Sequence, residues 1–258
     1  MTPRRCARAA AAAALLGVLP AACSGAAPAT LCGSQTLPVA GGAYAIGNNE
    51  WGSAAPECIT TDRGTAFTVA HSSIAKATDG APGGYPSIYK GCHWGVCTQD
   101  SGFPVRVSAI QAGLAVSTSW HTTQPGGGVY NASYDIWFNR TPTASGKPSG
   151  AELMIWLDQL GPVHPAGSLA VSDVTLGGRS YQVWLGGRRG RKTISYTMTS
   201  PATSVSHLNL QPLVADAARR GWLEDAWYLI DVEAGFEIWQ GGAGLATTSF
   251  SVAVAPGQ

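Results

Sequence analysis

Three short stretches of the chain set carboxylic acids beside indole rings. They are Tyr134-Asp135-Ile136-Trp137-Phe138, Glu152-Leu153-Met154-Ile155-Trp156-Leu157 and Phe236-Glu237-Ile238-Trp239. Successive side chains of a β-strand point to opposite faces. Read as strands, the first two separate cleanly. Leu153, Ile155 and Leu157 share an apolar face, and Glu152, Met154 and Trp156 share the other. Tyr134, Ile136 and Phe138 part from Asp135 and Trp137 in the same way. Along 227–239 the apolar set is Tyr228, Ile230, Val232, Ala234, Phe236 and Ile238; opposite them lie Trp227, Leu229, Asp231, Glu233, Gly235, Glu237 and Trp239. A buried core would not tolerate these mixed faces. Pyranose rings have apolar faces that stack on Trp and hydroxyls that need carboxylate or amide partners. Two carboxyl groups, one protonated and one ionised, can break a glycosidic bond. The same face could hold a carbohydrate without cutting it, and strand parity does not separate an enzyme from a binding module.

The elements that must carry these side chains are mostly strands. Alternation recurs in Phe67-Thr68-Val69, Val105-Arg106-Val107-Ser108 and Tyr181-Gln182-Val183-Trp184-Leu185. Turns rich in Gly and Pro at 80–84, 125–128 and 186–190 separate the runs. One segment, Leu208 to Arg220, reads as a helix: Leu210, Leu213, Val214 and Ala217 fall on one face, and Gly221 supplies the stop. Many strands and a single α-helix predict an all-β antiparallel sandwich or jelly roll, because a parallel sheet needs repeated crossover helices. No repeat or linker interrupts 31–258, which reads as one domain.

Charge and cysteine usage narrow the setting. Charged residues make up only 12% of the 258, with nine Trp and eight Tyr, a composition opposite to that of disordered chains. Apart from Arg4, Arg5 and Arg8, 13 basic residues face 15 acidic ones, so no basic nucleic-acid footprint is expected. Those three arginines, the apolar run Ala9 to Leu19 and the small residues after it read as a secretory signal over 1–30. Leu19-Pro20-Ala21-Ala22-Cys23 resembles a lipoprotein cleavage box, making Cys23 a candidate for lipid attachment; ordinary cleavage a few residues later is the alternative. No later stretch is long and apolar enough for a transmembrane helix. Cys32, Cys58, Cys92 and Cys97 remain in the mature part, and an exported chain would join them as two disulfides. Cys92 and Cys97 are near enough in sequence to close a small loop around His93, which leaves Cys32 for Cys58. His71, His121 and His207 are scattered, so neither metal nor cofactor is expected.

Further blocks carry a resemblance over nearly the whole mature chain: Asn48-Asn49-Glu50-Trp51-Gly52, 85–95 from Tyr85 through His93-Trp94-Gly95, 130–137 from Tyr130-Asn131, and Gly161-Pro162-Val163. With the carboxylate stretches they are similar to glycoside hydrolase family 12. The resemblance implies a β-jelly roll with a long concave cleft and a secreted retaining endo-β-1,4-glucanase. Cellulose would be its substrate, with xyloglucan or mixed-linkage glucan as alternatives. It implies Glu152 as nucleophile, Glu237 as acid/base and Asp135 as a hydrogen-bonding neighbour of the nucleophile. It also supports pairing Cys32 with Cys58 and Cys92 with Cys97. Expected substrate contacts are Trp51, Asn49, Asn131, Met154, Trp156, Trp137 and Trp239, in a chain acting as a monomer. Two positions depart from the family pattern: Ile238 stands where Pro is common, freeing a backbone donor beside Glu237, and His164 stands where Gln is common. The basic cluster Arg188, Arg189, Arg191 and Lys192 reads as a solvated turn.

Overall fold

Period-two patterning sorts the strands into two sheets that share one core. In the computed structural model, residues 27–144, 146–188 and 190–255 are described; positions 1–26 of the expected signal segment, with the lipid-attachment candidate Cys23, lie outside them. One sheet has the order Ala29–Cys32, Glu57–Thr61, Phe67–Ser72, Ala246–Ala255, Ala115–Thr123 and Ser204–Asn209. The other runs Ser168–Leu176, Arg179–Arg188, Arg191–Met198, Ala151–Leu160, Val129–Asn139, Tyr228–Gly235, Ser87–His93, Tyr44–Gly47 and Thr36–Val39, with three short strands attached along it. Between the sheets, Leu153, Ile155 and Leu157 meet Tyr134, Ile136, Phe138 and Val232, and the first sheet adds Ile59, Val69, Trp120 and Phe250. Trp120 lies edge-on to Tyr134 at 5.3 Å and tilted to Phe236 at 5.5 Å, so aromatic contacts join the layers. The fold is the expected all-β jelly roll.

Four details differ from the expectation. The Ala151–Leu160 and Arg191–Met198 strands pair in parallel. The chain leaves the first, reaches the sheet edge at Ser168–Leu176 and returns through two hairpins, so strands rather than helices make the crossover. The predicted helix begins later, at Gln211–Arg219, because Ser204–Asn209 is drawn into the first sheet beside Ala115–Thr123. Asn209 Oδ1 accepts the Gln211 N–H there. Val105–Ser108 is not one strand: Val105–Arg106 pairs with Tyr228 and Leu229, and Val107–Gln111 is a second short helix that buries Val107 and Ile110 at i, i+3 spacing. Two α-helices are therefore present among the described residues, not one.

The last difference concerns the long C-terminal strand. A bulge interrupts its pairing, with Trp137 opposite Asp231 but Phe138 opposite Leu229, so Ile230 is the extra residue. Parity follows the expectation from Asp231 onward and reverses before it: Trp227 and Leu229 enter the core, and Tyr228 does not. Gly91 sits opposite the bulge at φ +127°, where a Cβ would lie 2.3 Å from the Ile230 carbonyl. The regular strand ends at Gly235, and Ile238–Gln240 resumes pairing against Val129 and Tyr130.

Candidate active site

The sheet face turned away from the core is recessed. Asp135, Trp137, Met154, Trp156 and Trp239 all point to it, yet each is at most 6% exposed. Glu152 and Glu237 on the same face are only half-buried, so they are the acids that a molecule from solvent can reach. Three strands bring the groups together. Val129–Asn139 is central: its Trp137 is the partner of Glu152, its Asp135 of Met154, and on the other side Asp135 pairs with Glu233. Met154, Trp156, Trp239 and Val163 form a separate small apolar cluster beneath this face, with the Trp156 and Trp239 rings 6.5 Å apart.

Glu237 lies in the gap between two strands, and Asn131 holds it there. The Asn131 N–H donates to the Glu237 carbonyl at 3.0 Å, the Glu237 N–H donates to Asn131 Oδ1 at 3.1 Å, and Asn131 Nδ2 donates to the Glu237 carboxyl. Asn131 is itself fully buried, which places it behind Glu237. The Ile238 N–H, available because Pro is absent, donates to Gly84 O at 3.1 Å. Gly83 in turn donates to Ile238 O and accepts from Gly52, while the Tyr85 N–H donates to Asn49 O at 3.1 Å. The Asn49–Gly52 segment is thus tied to the backbone next to Glu237. On it Trp51 stands 57% exposed, the most exposed large apolar side chain described.

Both half-buried acids are raised, but their neighbours differ. Burial pushes Glu237 up, the Glu152 charge pushes it further, and the Asn131 hydrogen bond only partly offsets them, leaving its pKa at about 8. Burial also raises Glu152, but the Thr193 hydroxyl, which donates to Glu152 Oε2 at 2.9 Å, and the Arg191 guanidinium both favour its ionised form. Asp135 is raised well above the usual range by burial and then by the charges of Glu152, Glu237 and Glu233. Three neighbouring carboxyls of this kind cannot all be ionised, so they titrate as a set. Glu152 accepts a hydrogen bond from the Thr193 hydroxyl, and Asp135, the expected hydrogen-bonding neighbour, stands on the adjacent strand where the Glu152 charge acts on it.

The solvated-turn expectation for the basic cluster fails at two positions. Arg191 begins a strand and lays its guanidinium 5.0 Å from the Trp137 ring and 5.8 Å from the Trp94 ring. Lys192 Nζ donates to Gly221 O at 2.7 Å. Arg188 is exposed, and Arg189 lies outside the described residues. Sequence reasoning missed both Arg191 and Thr193, although their alternation in Arg191-Lys192-Thr193 puts them on one face, and the parallel pairing sets Thr193 opposite Glu152. The expected disulfides, Cys32–Cys58 and Cys92–Cys97, are both formed.

Residues 42–255 match glycosyl hydrolase family 12. The chain belongs to that family. It is similar to endoglucanase cel12A from Rhodothermus marinus, at 42% identity and a TM-score of 0.82 over 88% of this chain and 99% of that one. A probable cellulase, Cel12b, from Mycobacterium tuberculosis is 34% identical over 151 residues, covering 58% of this chain and 96% of its own. A family 12 xyloglucanase from Bacillus licheniformis shares 30% identity with a TM-score of 0.78, over 88% of this chain and all of that one. The chain is accordingly a glycoside hydrolase, and the family's jelly roll is the fold described above. No helix among the described residues is long and apolar enough to cross a membrane.

Proposed function

We propose that the protein is a retaining endo-β-1,4-glucanase that cuts internal bonds of cellulose or a related β-glucan by double displacement. One observation carries the mechanism: two reachable carboxyls share a recessed face, one held near pH 8 and the other beside a hydroxyl donor and a guanidinium. Glu152 attacks the anomeric carbon while Glu237 gives its proton to the departing glycosidic oxygen. A glycosyl ester on Glu152 results. Glu237, now ionised, takes a proton from water, the water oxygen displaces Glu152, and the configuration is retained. Asp135, crowded by both acids, shares a proton with Glu152 as its charge changes. Trp51 and Asn49 stand at the binding surface, Trp137, Met154, Trp156 and Trp239 form its nearly buried floor, and Asn131 acts through Glu237. The two disulfides fit an oxidising compartment, and the Arg-rich leader supports secretion.

Anion rescue tests the assignment. Glu152→Gly with azide and an activated aryl β-glycoside is expected to yield the α-glycosyl azide, and Glu237→Gly the β-anomer. Exchanged anomers reverse the two roles, and an inverted wild-type product removes the double displacement. A reducing-sugar assay on cellulose, xyloglucan and mixed-linkage glucan decides the preferred polymer, since one similar structure is a xyloglucanase.

A further inference from the structure

One strand beyond the catalytic pair lies a second group of acids that the hydrolysis does not use. Asp231 and Glu233 project from Tyr228–Gly235, and His93 closes the end of the neighbouring Ser87–His93 strand. His93 Nδ1 is 3.0 Å from Glu233 Oε2 and 3.5 Å from Asp231 Oδ2, and one donor atom from each of the three lies within 4.8 Å of the others. Asp231 is fully buried and Glu233 is 1% exposed. Ser87 Oγ donates to Glu233 Oε1 at 2.5 Å. Both Asp231 oxygens, Glu233 Oε2 and His93 Nδ1 make no aligned hydrogen bond.

A separate side chain points to the same place. The Tyr89 hydroxyl, on a residue 2% exposed, also lacks a partner, its ring packs 5.3 Å from His93, and Tyr89 pairs directly across the strands with Glu233. The charges of Glu233 and then Asp231 act on that hydroxyl after burial itself. Buried polar atoms without an aligned hydrogen bond are rare in this number in one spot, and each is costly. A protonated His93 turns one N–H, at Nδ1, toward the acids, where three carboxylate oxygens stand without an aligned donor. A cation placed among them can satisfy all three.

We propose that His93, Asp231 and Glu233 form a binding site for one divalent first-row transition cation of the zinc type, with the Tyr89 hydroxyl at its edge. One imidazole nitrogen with two carboxylates is a donor set suited to such an ion. Tetrahedral bonds of about 2.0–2.1 Å put neighbouring donors about 3.3 Å apart, between the observed 3.0 and 3.5 Å. The His93 side chain, 20% exposed, offers the way in, and the Cys92–Cys97 bridge beside it fixes the strand end. The ion would pin Ser87–His93 to Tyr228–Gly235 and offset part of the acidic charge next to Glu152. The site stands independently of the glucanase assignment.

Calorimetric titration of chelator-treated full-length protein with zinc chloride tests it. One saturable equivalent is expected, with a rise in melting temperature. Asp231→Asn and His93→Asn should each weaken binding at least tenfold, in the range expected for lost metal-site groups, whereas His207→Asn, distant in the fold, should leave it unchanged. Absence of saturable binding to the wild type, or binding unaltered in both ligand variants, overturns the site and leaves an imidazolium ion pair. Should those variants not fold, cobalt(II) added to the wild type decides: intense visible bands of a four-coordinate ion, displaced by zinc, support the site, and the pale spectrum of the hydrated ion rejects it.

Discussion

The chemistry of single residues here depends on what each carboxyl has beside it. In the proposed acid role Glu237 has to carry a proton when the glycosidic oxygen departs, and its pKa of about 8 keeps that proton through neutrality. We expect kcat/KM to fall above about pH 8 as the acid ionises; a descending limb at ordinary carboxylate pH would remove Glu237 from that role. Asn131 makes a second test. Its side chain both clamps Glu237 and lowers its pKa. Asn131→Ala should reduce kcat by about tenfold or more, given the usual 10²–10⁴-fold contribution of a placed acid, and should move the alkaline limb upward while KM changes little. A rise in KM alone would mean that Asn131 touches substrate directly.

At the scale of elements, strand ends and connecting segments do the positioning. Asn49–Gly52 carries no regular structure, yet its backbone bonds to Gly83 and Tyr85 fix Trp51 relative to Glu237. Trp51→Ala should raise KM on soluble β-glucan by about tenfold, within the ~1–3 kcal/mol of a stacked ring and buried side chain, and leave the melting temperature unchanged. The Glu57–Thr61 strand begins with a buried acid whose two oxygens have no partner. Burial first, and then the Glu50 charge, raise Glu57 to about 8. The folded state therefore holds a proton that the unfolded chain loses near its ordinary value of 4.5, and stability falls as pH climbs from there to about 8. Glu57→Gln should raise the melting temperature at pH 9 and change it little at pH 5. Equal shifts at both values would show that Glu57 is not protonated in the fold.

For the whole molecule, the two bridges differ in what they restrain. Cys32–Cys58 spans 26 residues and joins the first two strands of one sheet, whereas Cys92–Cys97 spans five. By loop entropy alone they restrict the unfolded chain by about 3.5 and about 2 kcal/mol. Replacing Cys32 and Cys58 with Ser should thus lower the denaturation midpoint more than replacing Cys92 and Cys97. Thiol titration of the unreduced, unfolded mature protein should find none of these four free.

Parity in Glu152–Leu157 and Tyr134–Phe138 was legible without coordinates, because alternation and a one-sided core force apolar and mixed faces apart. The family blocks likewise pointed to both cysteine pairs from residue order alone, and to Glu152, Glu237 and Asp135 as the proposed site. Other features depended on contacts between segments distant in sequence. Leu208 and Asn209 have helical periodicity, but an open sheet edge at Ala115–Thr123 claims them first. Ile230 continues an alternating run, yet the bulge opposite Phe138 turns Leu229 inward. Arg191 looked like part of a turn until the parallel pairing with Ala151–Leu160 brought it beside Trp137. His93 lies 138 and 140 positions from Asp231 and Glu233, and only the strand pairing of Gly91 with Asp231 brings the three together. Sequence determines which face a side chain takes within a strand; which strands become neighbours, and so which charges must share a buried space, is decided by the packing of the two sheets.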